Sequence, residues 1–294
     1  MRLHQVGEAE LVRRLLPLLP SQGLVVKPGE DDIAAWQEAD GSFTIATCDA
    51  SAEGVHFDLG WQRPEDVGWR ALALALGDLA AKGARPTQCL ISLSAPREWE
   101  LETALGIYRG IAELAAKVGL SIAGGDTVEA KGSGVLAITV LGRTDTRPLP
   151  RSTVKPGWRL AVTGPLGAAA VALAARSPLR LEPLLAGGER LNRLGLVCGD
   201  ISDGLWVELA KFEAMSGCGC EFDGRLVPLA AGADLEQALG SGEEAELVCA
   251  GPGQLIAAAG LSAIGSFREG GGVSFRDAAG NLRHSLDGGY QHFA

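Results

Sequence analysis

Two successive runs of strand and helix patterning, divided by an aperiodic stretch bearing proline and arginine at 144–157, constrain this chain more than any other feature. Before the break come an opening amphipathic helix over 8–19, a strand over 43–47 ending at Asp49, and an Ala/Leu-rich helix over 64–83. A strand over 89–94, a helix over 98–118, a short strand into Gly124-Gly125-Asp126 and a β-rich run over 134–142 follow. This β, α, β, α, β order describes an α/β unit. After the break a strand at 159–163 restarts the pattern. An Ala-rich helix to 175, a loop at 200–204, a helix to 216 and strands at 220–222 and 247–250 continue it, with a helix near Leu235 and another after Pro252, then strands near Ile264 and Val273. Two α/β domains are expected, 1–147 and 148–294. At 294 residues and 47% hydrophobic composition the chain has enough apolar mass for two cores.

Acidic residues beside glycine punctuate both runs: Glu30-Asp31-Asp32, Thr47-Cys48-Asp49, Gly77-Asp78, Gly124-Gly125-Asp126 and Asp200-Ile201-Ser202-Asp203-Gly204. Asp beside Gly is also ordinary turn and cap chemistry, so each segment alone reads as a turn. Five together, at expected strand or helix ends, suit a site for hard cations and a polyphosphate. Carboxylates are the ligands Mg²⁺ prefers, and small neighbours let a nucleotide approach the backbone. No G-x-x-x-x-G-K-[ST] loop, dinucleotide fingerprint or protein-kinase signature set occurs. A bound nucleotide would therefore rest on carboxylate-held metals and scattered backbone amides.

The net charge of −10 argues against nucleic acid or an anionic membrane as partner. The first ten residues lack the apolar core of a signal peptide, and no apolar run reaches membrane-spanning length. The six cysteines, Cys48, Cys89, Cys198, Cys218, Cys220 and Cys249, lack C-x-x-C pairs and read as buried reduced thiols of a cytoplasmic protein. Cys218 and Cys220 read as strand packing.

The acidic segments, with Glu53-Gly54-Val55-His56-Phe57, Arg151, Lys155-Pro156-Gly157, Gly242-Glu243 and Gly288-Gly289-Tyr290-Gln291-His292-Phe293, resemble the thiamine-monophosphate kinase family of the aminoimidazole ribonucleotide synthetase (PurM-like) superfamily. The likeness runs over nearly the whole chain in the family's order. It implies a two-domain PurM-like α/β (α+β) fold whose N-terminal mixed sheet pairs in a homodimer. It implies a metal site of several Mg²⁺ at Asp32, Thr47, Cys48, Asp49, Asp78, Asp126, Asp200 and Asp203. ATP would lie against Gly125, Asp126, Arg151 and Ser202, and thiamine monophosphate against His56, Glu243 and Tyr290. The implied reaction is direct in-line transfer of the γ-phosphate of ATP to thiamine monophosphate, with Asp49, Asp126 and Arg151 as catalytic residues and Mg²⁺ bridging donor and acceptor. The chain departs from the family's usual pattern at Glu30, Cys48 and Gly77, and in Ser241-Gly-Glu-Glu-Ala-Glu246, which lacks the family's aromatic. A PurM-like enzyme acting on a different phosphorylated acceptor, or a non-catalytic thiamine-phosphate or nucleotide sensor, are the alternatives.

Overall fold

Glycine at two helix crossings, rather than apolar bulk alone, sets how the helices of this protein stack. The computed structural model describes residues 2–286. A first sheet contains β1 (Leu24–Val26), β2 (Ala34–Gln37), β3 (Phe43–Ala52), β4 (Arg85–Pro96), β5 (Ser121–Ala130) and β6 (Val135–Thr144), in the order β1-β2-β3-β6-β4-β5. Only β4 and β5 run parallel. A short α1 (Glu8–Leu15) precedes it, and α2 (Pro64–Ala81) and α3 (Leu101–Val118) cover one face. A Cβ on Gly68 would stand 1.9 Å from the Ile107 carbonyl oxygen, and one on Gly110 1.9 Å from that of Glu65. The two helices therefore touch backbone to backbone. The other face carries exposed Cys48, Leu90 and Ser92, and all of β5 but Ala130 is exposed.

The second sheet contains β7 (Arg159–Val162), β8 (Val197–Ile201), β9 (Gly219–Asp223), β10 (Glu244–Gly251), β11 (Ala263–Arg268), β12 (Val273–Arg276) and β13 (Leu282–Arg283). Its order is β13-β12-β9-β11-β7-β10-β8. One face buries α6 (Leu205–Ser216) and α7 (Leu235–Gly240). The other packs α5 (Leu185–Arg193) and α8 (Gly253–Ala258), and α4 (Ala168–Ala174) contributes no buried residue. Strand alternation divides the two cores. Val248 and Ala250 join the first cluster, while Leu247 and Cys249 join the second, together with Ala80 and Ala81 from the end of α2. The last turn of α2 thus belongs to the core of the second sheet.

Several elements differ from expectation. The opening helix ends at Leu15 and tightens into a 3₁₀ turn over Leu16–Leu18, where Pro17 withholds its N–H. Asp49 and Asp126 lie inside ten-residue strands, not at their ends. β6 pairs along the whole of β3, and β4 along β5 as far as Ala130. Asp200 closes into β8 with Ile201, leaving the loop to begin at Ser202. Five cysteines are buried, but Cys48 is exposed. No helix among the described residues is long and apolar enough to cross a membrane.

Candidate active site

β2 pairs with β3 only as far as Ala46, so from Thr47 onward that side of β3 is open. Thr47 and Asp49 share the inward face with buried Ile45. Asp78, on α2 beneath them, accepts a hydrogen bond from Thr47 Oγ1 at 2.6 Å. From the second sheet Asp200 meets α2 where it carries Gly77, whose added Cβ would lie 3.3 Å from Asp200 Cβ. A side chain there would have to be accommodated by a small shift of Asp200. Asp32, between β1 and β2, joins Asp200 and Glu208 of α6, with carboxylate oxygens all within 4.8 Å of one another.

A buried set of charges lies beneath this cluster. Arg151 has no exposed surface and donates from Nε to Glu208 at 2.5 Å, while its Nη1 pairs with Asp31 and its Nη2 lies 3.3 Å from Asp32 and 3.4 Å from Asp200. Phe212 closes over the guanidinium carbon at 5.6 Å. Asp31 also accepts from the Arg151 backbone N–H at 2.7 Å and from Lys82 Nζ at 2.6 Å, and Lys82 donates to the Cys198 carbonyl at 2.7 Å. Above, the Lys211 ammonium sits 2.9 Å from Asp203 and 3.1 Å from Asp32.

The electrostatics follow from this crowding. Burial, then the charges of Asp200 and Asp203, pushes the Asp49 carboxyl up to about 7, against the pull of Lys211. Asp78 is held well above the usual range by burial and by Asp200 and Asp49. Burial also raises Glu208 to about 7 despite Arg151. For Asp32 burial works in the same direction but loses to Arg151 and Lys211, which hold it below the ordinary value. The cluster has a deficit of positive charge, and that deficit falls on Asp49 and Asp78.

Beside it opens a cavity of about 470 Å³, lined in part by His56, Ser202, Asp203 and Glu243. His56 Nδ1 accepts from the Ala52 N–H at 3.1 Å. Glu243 adopts a left-handed φ of 62° and donates its N–H to the Ser202 carbonyl at 2.7 Å. Burial raises its carboxyl, with Arg70 opposing.

Among the residues expected at the site, the structure gathers Asp32, Thr47, Asp49, Asp78, Asp200 and Asp203, and sets Ser202, His56 and Glu243 around the cavity. Three others stand differently. The Cys48 side chain takes the outer face, because alternation turns it away from Thr47 and Asp49. Gly125 aligns across the sheet with Ile91, Ile138 and Asp49, but Asp126 belongs to the next row, with Ser92, Ala137 and Ala50, which places its side chain on the exposed side. Arg151, expected against the nucleotide, is sealed below the carboxylates and acts on them. Tyr290 lies outside the described residues. Sequence reasoning passed over Glu208, Lys211 and Arg70, and gave Asp31 no role of its own within Glu30-Asp31-Asp32. The first two had a signal, since they follow Asp200-Ile-Ser-Asp-Gly204 at helical spacing and share one face of α6.

Comparison with known proteins gives the following likenesses. Residues 30–144 match the family AIR synthase related protein, N-terminal domain. Thiamine-monophosphate kinase of Methanopyrus kandleri is 32% identical over 291 residues, 90% of this chain and 91% of its own. The structure of AaThiL complexed with AMPPCP and TMP aligns with a TM-score of 0.81 at 25% identity, covering 99% of each chain. Thiamine-monophosphate kinase from Stenotrophomonas maltophilia K279a aligns with a TM-score of 0.70 at 28% identity, over 90% of this chain and 95% of that one.

Proposed function

The chain belongs to the thiamine-monophosphate kinase family, with the PurM-like fold, and on that premise we propose that it transfers the γ-phosphate of ATP to the phosphate of thiamine monophosphate, giving thiamine diphosphate. The observation that carries this reading is the juxtaposition of an all-oxygen carboxylate cluster with the cavity lined by His56, Ser202 and Glu243. The cluster fits hard cations: the oxygens of Asp32, Asp200 and Glu208 converge, and burial together with neighbouring carboxylates raises Asp49 and Asp78. Asp32, Asp49, Asp78, Asp200 and Asp203 would hold Mg²⁺. When bound, it supplies positive charge to phosphate oxygens.

The chain's own residues then divide the remaining work. His56 and Glu243 bound the space for the thiamine moiety, and Ser202, beside Asp203, lines the same cavity. Arg151 keeps Asp31, Asp32, Asp200 and Glu208 in place from beneath. An acceptor phosphate oxygen is already anionic near neutral pH, so in-line attack requires no general base. Asp126 enters this scheme only through a nucleotide that reaches the outer side of the first sheet.

The reading extends to a cytoplasmic enzyme of two units, 1–147 and 148–294, that pairs as a homodimer through the uncovered face of the first sheet. That face exposes Leu90 and Val128. The function is tested with purified protein, ATP, Mg²⁺ and thiamine monophosphate. The expected products are ADP and thiamine diphosphate, identified by chromatography. ATP consumption that appears only with another phosphorylated acceptor would replace this substrate. Binding of both ligands without turnover would make the protein a sensor.

A further inference from the structure

Arg70 occupies the wall between two cavities. On one side lies the 470 Å³ space described above; on the other, one of about 260 Å³ bounded in part by Trp61, Leu173 and Leu181. Both are lined by Arg70 and Glu243. From its place on α2, Arg70 donates through Nη1 to Glu243 Oε2 at 2.9 Å and through Nη2 to the His56 carbonyl. A planar guanidinium fork spans two oxygens at a fixed separation, which a lysine ammonium on a flexible stem does not. The two oxygens come from different parts of the fold: His56 follows β3, and Glu243 immediately precedes β10 of the second sheet.

Glu243 needs such a support. Its left-handed backbone is a conformation that side-chain-bearing residues keep only where their surroundings fix it. Its N–H is fixed on Ser202, and Gly242 before it has no room for a Cβ, which would stand 2.0 Å from the Ser202 carbonyl oxygen. Main chain on one side and Arg70 on the other therefore determine where the carboxylate points. The side chains of Arg70 and Glu243 keep 15% and 27% of their surface, so the pair is screened only in part.

We propose that Arg70 is a positioning residue for the phosphate acceptor, holding Glu243 and the His56 segment at the separation the acceptor requires. The inference rests on the acceptor occupying the larger cavity, as the proposed function has it. It gives Arg70 no contact with ATP and no part in metal binding.

Steady-state kinetics with ATP and thiamine monophosphate varied separately, on the wild type, Arg70→Ala and Arg70→Lys, test it. Arg70→Ala should raise KM for thiamine monophosphate at least tenfold, leave KM for ATP within twofold, and keep thermal protection by Mg²⁺ and ATP. Arg70→Lys should recover part of the loss, since it can pair with Glu243 but not bridge to His56. Should Arg70→Ala fail to fold, Glu243→Gln breaks the same pair in a shape-conserving way, and combining it with Arg70→Lys should cost little more than Glu243→Gln alone. Equal changes in both KM values, or a fall in melting temperature with neither KM altered, would overturn the inference while leaving the function intact. A wild type that does not phosphorylate thiamine monophosphate removes the function and the inference together.

Discussion

Arg151 is where the candidate site and the stability of the protein meet at the scale of one residue. Removing one partner from a buried ionic set leaves the others uncompensated, which costs about 3–5 kcal/mol. Arg151→Met should lower unfolding free energy by that order in urea titration, and a loss under 1 kcal/mol would mean the carboxylates find other partners. The same crowding predicts a pH dependence. Asp49 and Glu208 titrate near 7 in the folded protein, against about 4 for ordinary carboxylates. Between those values the folded form holds more protons at these two groups than the unfolded, so their contribution to stability is full below about pH 4 and is lost as pH rises through 7. In chelator the melting temperature should therefore fall from pH 5 to pH 7.5. Added Mg²⁺ should raise it more at pH 7.5 than at pH 5, because metal displaces the shared protons. A flat or rising profile in chelator would contradict the crowding.

Among the elements, α2 does the most to assemble the site, since it carries Arg70 and Asp78 and is crossed at close range by two other helices. An added Cβ on Gly188 of α5 would stand 1.9 Å from the Ala80 carbonyl oxygen, as the glycines at the α3 crossing do against their own neighbours. Gly110→Ala should destabilise by about 1–3 kcal/mol through overpacking, read by denaturant midpoint; an unchanged midpoint would mean the helices separate freely. The Ala/Leu periodicity made α2 legible to within a few residues of its end. By contrast, α5 contains Gly187 and Gly188, which lower helix propensity, and Gly188 is there for contact with α2 that no local pattern reveals. β8 was not among the expected strands, because its last two residues, Asp200 and Ile201, fell in the loop expected over 200–204 and its pairing is with β10, distant in sequence. Residue type alone marked the Asp cluster. The face of Cys48 was open to period-two reasoning from Ile45, whereas the row of Asp126 depends on a register shift between β4 and β5 that only pairing defines.

At the scale of the whole molecule, the uncovered face of the first sheet and the shared end of α2 pull in different directions, one toward a second copy and the other toward unity within one chain. If the exposed face pairs copies, sedimentation at micromolar concentration should give a dimer, and Leu90→Lys should shift it to monomer without lowering the monomer's helical content. A wild-type monomer would end that proposal. Inside one chain, Asp31 is bound at once by Lys82 from the end of α2 and by Arg151 from the connection between the sheets, while Lys82 also holds a carbonyl of β8. A gene divided between residues 147 and 148 would therefore encode two fragments, each with charges whose counterparts were left on the other. Produced alone, each fragment should be insoluble or degraded; produced together, they should be recovered as a stoichiometric pair, since the partner supplies the missing charges along with the missing core. The buried contacts of Asp31 thus act as a test of completeness, passed only when both ends of the connection are present.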